Sequence, residues 1–165
     1  EGQILYCDIH PHKLKLIDSG SKRLGISCLR TMLADAREHH AAWDRAADVV
    51  IADVPCSGLG IIRKKPDIRY KNPEELAQLP IIQREILENV CRYVRSGGVL
   101  VYSTCTILPE ENEQVTEAFL QAHPEFERTA FTLPLPIGTC DGQLTLWPQR
   151  HGTDGFYICR MRRKD

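Results

Sequence analysis

The sequence predicts an α/β fold, a mainly parallel sheet covered on both faces by helices. Three observations carry that expectation. Short apolar runs alternate with stretches of helical period. The runs "VVIA" (49–52) and "VLVY" (99–102) are apolar throughout, as strands buried on both faces require. Polar or reactive groups, Asp8, Asp35, Asp53, Cys56 and Cys105, fall at the ends of successive runs. Open sheets of this kind gather ligands at those carboxyl ends.

The first strand is "QILYCD" (3–8), closed by an acid. Leu14, Ile17 and Leu24 then recur at near-helical spacing, with Gly20 weakening that helix and Gly25 stopping it. "SCLRTMLADA" (27–36) is the second strand, carrying Asp35 near its end, and "ADVVIAD" (47–53) is the third. Gly58, Gly60, Pro66 and Pro73 mark a loop. The next helix is expected to start at Pro80, since proline suits a first turn. Ile82, Ile86, Leu87, Val90 and Val94 form its stripe, and "SGG" (96–98) ends it. "GVLVYSTC" (98–105) is the fourth strand. Pro109, Glu110 and Glu111 open a further helix that turns Val115, Phe119 and Leu120 inward. "FERTAF" (126–131) and "GFYICRMR" (155–162) read as weaker strands, and residues 133–154 as one long loop.

At 165 residues the chain suits one domain spanning 1–165, able to bury about two-thirds of its unfolded surface. No apolar stretch approaches the roughly 20 residues of a membrane span, and the first residues do not read as a signal peptide. The N-terminus enters a strand almost at once, which suggests a segment of something longer. Net charge is −1, so the molecule as a whole does not attract polyanions. Locally, "RKKPDIRYK" (63–71) sets five basic residues against one acid, and "RMRRKD" (160–165) four against one. Either patch suits a polyanion or a plain solvated surface. Seven cysteines occur without zinc-like spacing, so no metal site is expected. Their odd number and scatter fit a reducing, cytoplasmic setting. Cys7, Cys28, Cys91 and Cys159 read as small core residues.

Three strand-end carboxylates suit a ligand rich in hydroxyl and amine donors. Neither a G-x-G-x-x-G nor a Walker loop is present for a phosphate. An acid just beyond the second strand of a Rossmann-like unit can accept two ribose hydroxyls, and the three acids together favour a nucleoside ligand. Cys105 ends the fourth strand shortly before a helix, whose positive end is expected to lower its pKa. Cys56 follows Pro55 on a rigid turn near Asp53. Two thiols at neighbouring strand edges point to nucleophilic or acid–base work.

Taken together, "DVPCSGLG", "RKKPDIRY", "LVYSTCTILPEENE" and "HGTDGFY" resemble the motifs of RNA cytosine carbon-5 methyltransferases, nearest to the bacterial Sun/Fmu (RsmB-like) ribosomal RNA enzymes. The resemblance runs from about Tyr6 to Tyr157. It implies a Rossmann-like class I methyltransferase sheet with S-adenosylmethionine as cofactor and RNA, most simply ribosomal RNA, as partner. It assigns Cys105 as the nucleophile that adds to cytosine carbon-6 and Cys56 to release of the adduct. Asp53 would meet the cytosine ring edge and complete the cofactor wall, Asp8 would bind ribose, and Asp35 the adenine amine. Arg63, Lys64, Lys65, Arg69 and Tyr70 would face RNA, with the target base leaving its stack.

The family's D-x-C-A-A-P-G-G-K-T-like cofactor strand and loop does not occur in this sequence. The expectation is a sheet truncated at its N-terminus, lacking its first strand and helix, and a chain that binds cofactor weakly and is inactive alone. With that strand missing, the sheet would have to reorganise, pair with another chain or tolerate an exposed edge. Three rival readings stay open. One is a non-catalytic RNA-binding or structural module that retains the motifs. Another is a DNA cytosine methyltransferase, against which Cys105 and "LPEENE" argue. The third is a thiol hydrolase drawing its base from His10, His12, His39, His40, His123 or His151.

Overall fold

Strand β1 (Ile4–Asp8) leads into helix α1 (Pro11–Arg23) and strand β2 (Leu29–Leu33), which returns parallel to β1 with Ile4 opposite Leu29 and Asp8 opposite Leu33. The structure, a computed structural model describing residues 2–165, divides into two compact units, and these elements belong to the first, which ends at His39. Pro11 sits in the first turn of α1, where its missing N–H costs nothing. The stop expected at Gly25 is real: its φ is +68°, its N–H reaches the Lys22 carbonyl, and the Ile26 N–H reaches that of Ser21. Those two bonds make a Schellman cap, and the left-handed conformation explains the glycine. Asp18 accepts the Thr31 hydroxyl at 2.9 Å and so ties α1 to β2. The second strand is shorter than the run 27–36 suggests, and Cys28 lies outside it, exposed. Cys28 is therefore not a core residue; Cys91 and Cys159 are buried as expected, and Cys7 is half-buried.

The second unit spans His40–Asp165. Strands β3 (Ala47–Asp53) and β4 (Val94–Thr104) pair in parallel, with Ala52 opposite Tyr102 and Asp53 opposite Ser103. Helix α2 (Pro73–Val90) connects them and begins well before Pro80. The start is written in "NPEE": the Asn72 side chain accepts the Glu74 N–H at 3.0 Å, Pro73 takes the first helical position, and Glu74 and Glu75 oppose the helix dipole. Pro80 lies inside the helix and leaves the Leu76 carbonyl without its usual donor. Val94 begins β4 instead of closing the helix stripe. "SGG" is an irregularity within that strand, where the β3–β4 register shifts and Gly97 takes φ +71°.

Beyond β4 come α3 (Glu113–Ala122), β5 (Phe126–Arg128), β6 (Phe131–Leu133), β7 (Gly138–Cys140), β8 (Gln143–Leu146), the short α4 (Pro148–His151) and β9 (Phe156–Arg163). β9 inserts antiparallel beside β4, Tyr157 opposite Thr104, and carries β5 and β8 on its other side; β6 and β7 form a separate hairpin. The larger sheet is thus mixed rather than mainly parallel, and 133–154 is not one loop. Its core is continuous, with Leu87, Val94, Leu100, Tyr102, Val115, Tyr157, Cys159 and Met161 all fully buried. Among the described residues β1 has one strand neighbour, β2, and β3 has one, β4. Val49 and Ile51 on β3 are accordingly 55% and 70% exposed, an open apolar edge of the kind soluble proteins usually cover. No described helix is long and apolar enough to cross a membrane.

Candidate active site

Because β3 and β4 are parallel neighbours with Asp53 opposite Ser103, the chain leaves both strands on the same side. The turn "VPCSG" and the stretch "TCT" emerge together. Cys56 Sγ lies 3.2 Å from Cys105 Sγ, and the Cys105 N–H points at Cys56 Sγ from 3.3 Å. Both residues are partly exposed. Asp53 stands at the same edge and accepts the Ser103 hydroxyl at 3.1 Å.

The two sulfurs share a hydrogen bond. A hydrogen bond from the Cys56 thiol stabilises the Cys105 thiolate and draws its pKa down to about 7, against burial and the nearby Asp53 charge, with Lys65 assisting. The same bond and burial push Cys56 well above the usual thiol range. The expected cause, a helix N-terminus, is not the operative one, since α3 does not begin until Glu113 and the dipole acts only within a turn. Alkylation of Cys105 by iodoacetamide should therefore rise through a midpoint of about 7. Cys56→Ala removes the donor, so the midpoint should climb toward about 8.5 and alkylation at neutral pH fall roughly tenfold. Peptide mass spectrometry reads this directly, because residues 96–128 contain Cys105 as their one cysteine. An unmoved midpoint would show that Cys56 is not the donor.

The other expected site residues fall in two places. Asp8 and Asp35 belong to the first unit. Asp8, ending β1, accepts the His10 N–H at 2.8 Å and pairs with Lys13 at 3.2 Å. Burial raises its pKa, but the His10 and Lys13 contacts outweigh that and hold it below the usual range. Asp35 is lowered by Arg37, which grips it through the guanidinium at 2.7 Å and the backbone N–H at 2.9 Å. In the second unit, Arg63 and Lys64 both pair with the buried Asp154. Lys65 acts on Cys105, and Arg69 and Tyr70 lie on the 3₁₀ turn Pro66–Tyr70, with Tyr70 83% exposed. Lys71 donates to the Ser57 carbonyl at 2.9 Å. The basic segment thus runs beside the thiols. Of the histidines, His123 pairs with Glu88 and Glu125, and His151 accepts the Trp147 N–H.

The sequence reading missed a buried polar network beneath the thiols. Glu111, expected as a helix-opening acid, is 2% exposed and accepts the Ser57 N–H and the Gln83 amide, each at 2.9 Å. Asn112 accepts the Thr104 hydroxyl at 2.6 Å and donates to the Thr106 carbonyl at 3.1 Å, while Ser57 and Thr106 share a hydroxyl bond of 2.8 Å. One signal was available. Gln83 lies on the apolar stripe of α2 with Ile86, Leu87 and Val90, where a polar residue needs a buried partner.

Residues 1–162 match the family model described as 16S rRNA methyltransferase RsmB/F. The chain belongs to the RsmB/F family. It is 42% identical over 171 residues to the probable ribosomal RNA small subunit methyltransferase B of Bacillus subtilis, covering 99% of this chain and 38% of that protein. It is 33% identical over 174 residues to ribosomal RNA small subunit methyltransferase F of Escherichia coli O157:H7, covering 99% and 35%. The crystal structure of PH0851 superimposes with a TM-score of 0.89 at 34% identity, over 99% of this chain and 37% of that one. The structure of NSun6 from Pyrococcus horikoshii with SFG gives 0.77 at 25%, over 100% and 42%. The fold is thus the class I methyltransferase fold, and this RsmB/F chain spans 38% or less of the length of those two curated relatives.

Proposed function

We propose that the chain is part of the catalytic domain of an S-adenosylmethionine-dependent enzyme that methylates carbon-5 of a cytosine in ribosomal RNA. Cys105 is the covalent nucleophile and Cys56 serves its release. The observation that carries this reading is the 3.2 Å approach of the two sulfurs at adjacent strand ends. The names of the relatives, ribosomal RNA small subunit methyltransferases, support the substrate class.

The chemistry asks for two thiols. Carbon-5 of cytosine is a weak nucleophile. The Cys105 thiolate bonds to carbon-6, and the displaced electron pair makes carbon-5 enamine-like. S-adenosylmethionine, when bound, supplies the methyl group. A base must then remove the carbon-5 proton so that the ring double bond re-forms and the Cys105 thiolate leaves. Cys56 lies within reach of that sulfur and acts as or through that base. Asp53 hydrogen-bonds the ring edge. Asp8 and Asp35 are the acids we assign to the ribose hydroxyls and the adenine amine; an Asp held below the usual range, as both are, is an ionised acceptor at neutral pH. Arg63, Lys64, Lys65 and Arg69 meet RNA phosphates, and Tyr70 offers a stacking face.

The test is transfer of a labelled methyl group to a 16S ribosomal RNA transcript by the protein at the full length of its relatives, followed by nucleoside analysis. Label in 5-methylcytidine is the expected result; label in another nucleoside, or none, would overturn the reading. The 165-residue chain contains no glycine-rich cofactor loop, and alone it should bind S-adenosylmethionine weakly and show no transfer. In the longer protein Asp8→Ala should weaken cofactor binding about tenfold or more, the worth of hydrogen bonds to a charged acceptor. Unchanged calorimetric titration would remove Asp8 from the cofactor site.

A further inference from the structure

Glu111 is a buried acid that the reaction above leaves unused. It follows Cys105 in the segment between β4 and α3, and its backbone carbonyl is fixed by the Tyr102 hydroxyl at 2.6 Å. From there Oε2 accepts the Ser57 N–H, while the Gln83 amide that donates to Oε2 also donates to the Pro55 carbonyl at 2.9 Å. Pro55 and Ser57 are the two neighbours of Cys56. The second carboxyl oxygen, Oε1, is buried without a hydrogen-bond partner. A carboxyl group this deep, with one oxygen unsatisfied, is costly to bury, and that cost is offset only in part by the two hydrogen bonds that the other oxygen accepts. What it does that an apolar side chain would not is to join the segment after Cys105 to both sides of the Cys56 turn.

We propose that Glu111 is a positioning residue which, through Ser57 and with Gln83, holds the Cys56 turn against Cys105 and so sets the approach of the two sulfurs. This rests on the reading that both thiols serve one reaction, but its test needs neither RNA nor cofactor. The pH profile of Cys105 alkylation is measured on peptide 96–128 for the wild type, Glu111→Ala, Glu111→Gln and Gln83→Leu.

Glu111→Ala should move the midpoint upward and slow alkylation at neutral pH about tenfold, as expected when a thiolate loses its donor. Glu111→Gln, whose amide oxygen still accepts from Ser57 and Gln83, should stay within about twofold of the wild type. Gln83→Leu keeps the Ser57 bond, loses the Pro55 bond, and should fall between the two. A merely structural Glu111 would lower the melting temperature and leave the midpoint in place, which would overturn the proposal, as would a Gln variant shifted as far as the Ala variant. If Glu111→Ala fails to fold, an unmoved midpoint in Gln83→Leu overturns it instead. Full-length protein that shows the expected profiles yet methylates no cytosine would sink the methyl-transfer reading and leave the role of Glu111 standing.

Discussion

Cys105→Ala in the full-length protein should abolish the covalent complex with RNA carrying 5-fluorocytosine, whereas Cys56→Ala should still form a complex and should accumulate one on ordinary RNA. The asymmetry follows from the division of labour. Fluorine at carbon-5 cannot leave as a proton, so the adduct persists on the sulfur that made it, and only the attaching sulfur is indispensable for trapping. Cys56→Ala has two effects that pH separates. It takes away the hydrogen bond that draws Cys105 down to about 7, so attachment slows at neutral pH and recovers in mild alkali, where Cys105 ionises unaided. It also removes the group assigned to release, and turnover should fall by about 10² to 10⁴, the usual worth of a general acid or base, with no recovery in alkali. Denaturing gels of the RNA–protein complex at two pH values read both effects. A complex that survives Cys105→Ala but disappears with Cys56→Ala would reverse the roles. RNA binding unaltered in both variants, with no covalent complex even in the wild type, would leave a non-catalytic RNA-binding module.

The positions of the two thiols were legible in the sequence because the relevant rule is local. Two apolar runs end in Asp53 and Thr104, and parallel pairing brings those ends together whatever the intervening 40-odd residues do. The cause of the Cys105 shift was not legible. It depends on a contact between sulfurs distant in sequence, and the nearby helix signal at "PEENE" offered a plausible but wrong source. The same motif hid Glu111: an acid before a helix looks like a dipole partner, and only the fold shows it turned inward toward Ser57. Elsewhere the misses have two physical origins. Pro80 drew attention from the stronger start signal at Asn72, since a proline can be tolerated inside a helix at the loss of one hydrogen bond. β7 and β8, of three and four residues, are too short to show a period. β7 exists as the partner of β6 in a separate hairpin, and β8 because β9, the last strand in the chain, inserts beside β4 and offers its free edge to it, a pairing order that no periodicity encodes.

Gly60→Ala should be among the most destabilising single-methyl changes in the molecule, costing roughly 3 kcal/mol or more, the sum of overpacking and lost hydrogen bonds. The constraint is space rather than backbone conformation. The Gly60 N–H donates to the Cys105 carbonyl at 3.0 Å, and the Gly60 carbonyl accepts the Gly155 N–H at 2.8 Å. A Cβ on Gly60 would run into the Gly155 carbonyl and lie 2.9 Å from that of Cys105. Reciprocally, a Cβ on Gly155 would lie 2.7 Å from Gly60 Cα and 2.6 Å from the Ile107 side chain. The obstructing atoms around Gly60 are backbone, so no side chain can rotate away, and relief requires the three segments to part. Since one of those segments carries Cys105, the variant should also scatter the thiol pair and raise the Cys105 alkylation midpoint along with lowering the urea midpoint. Gly20→Ala supplies the contrast. Gly20 lies inside α1 with nothing within 4 Å of an added Cβ, so the same methyl should stabilise by about 0.5–1 kcal/mol through helix propensity. Equal urea midpoints for Gly60→Ala and the wild type would mean that the segments are not in contact, and that some other feature holds Cys105 beside Cys56.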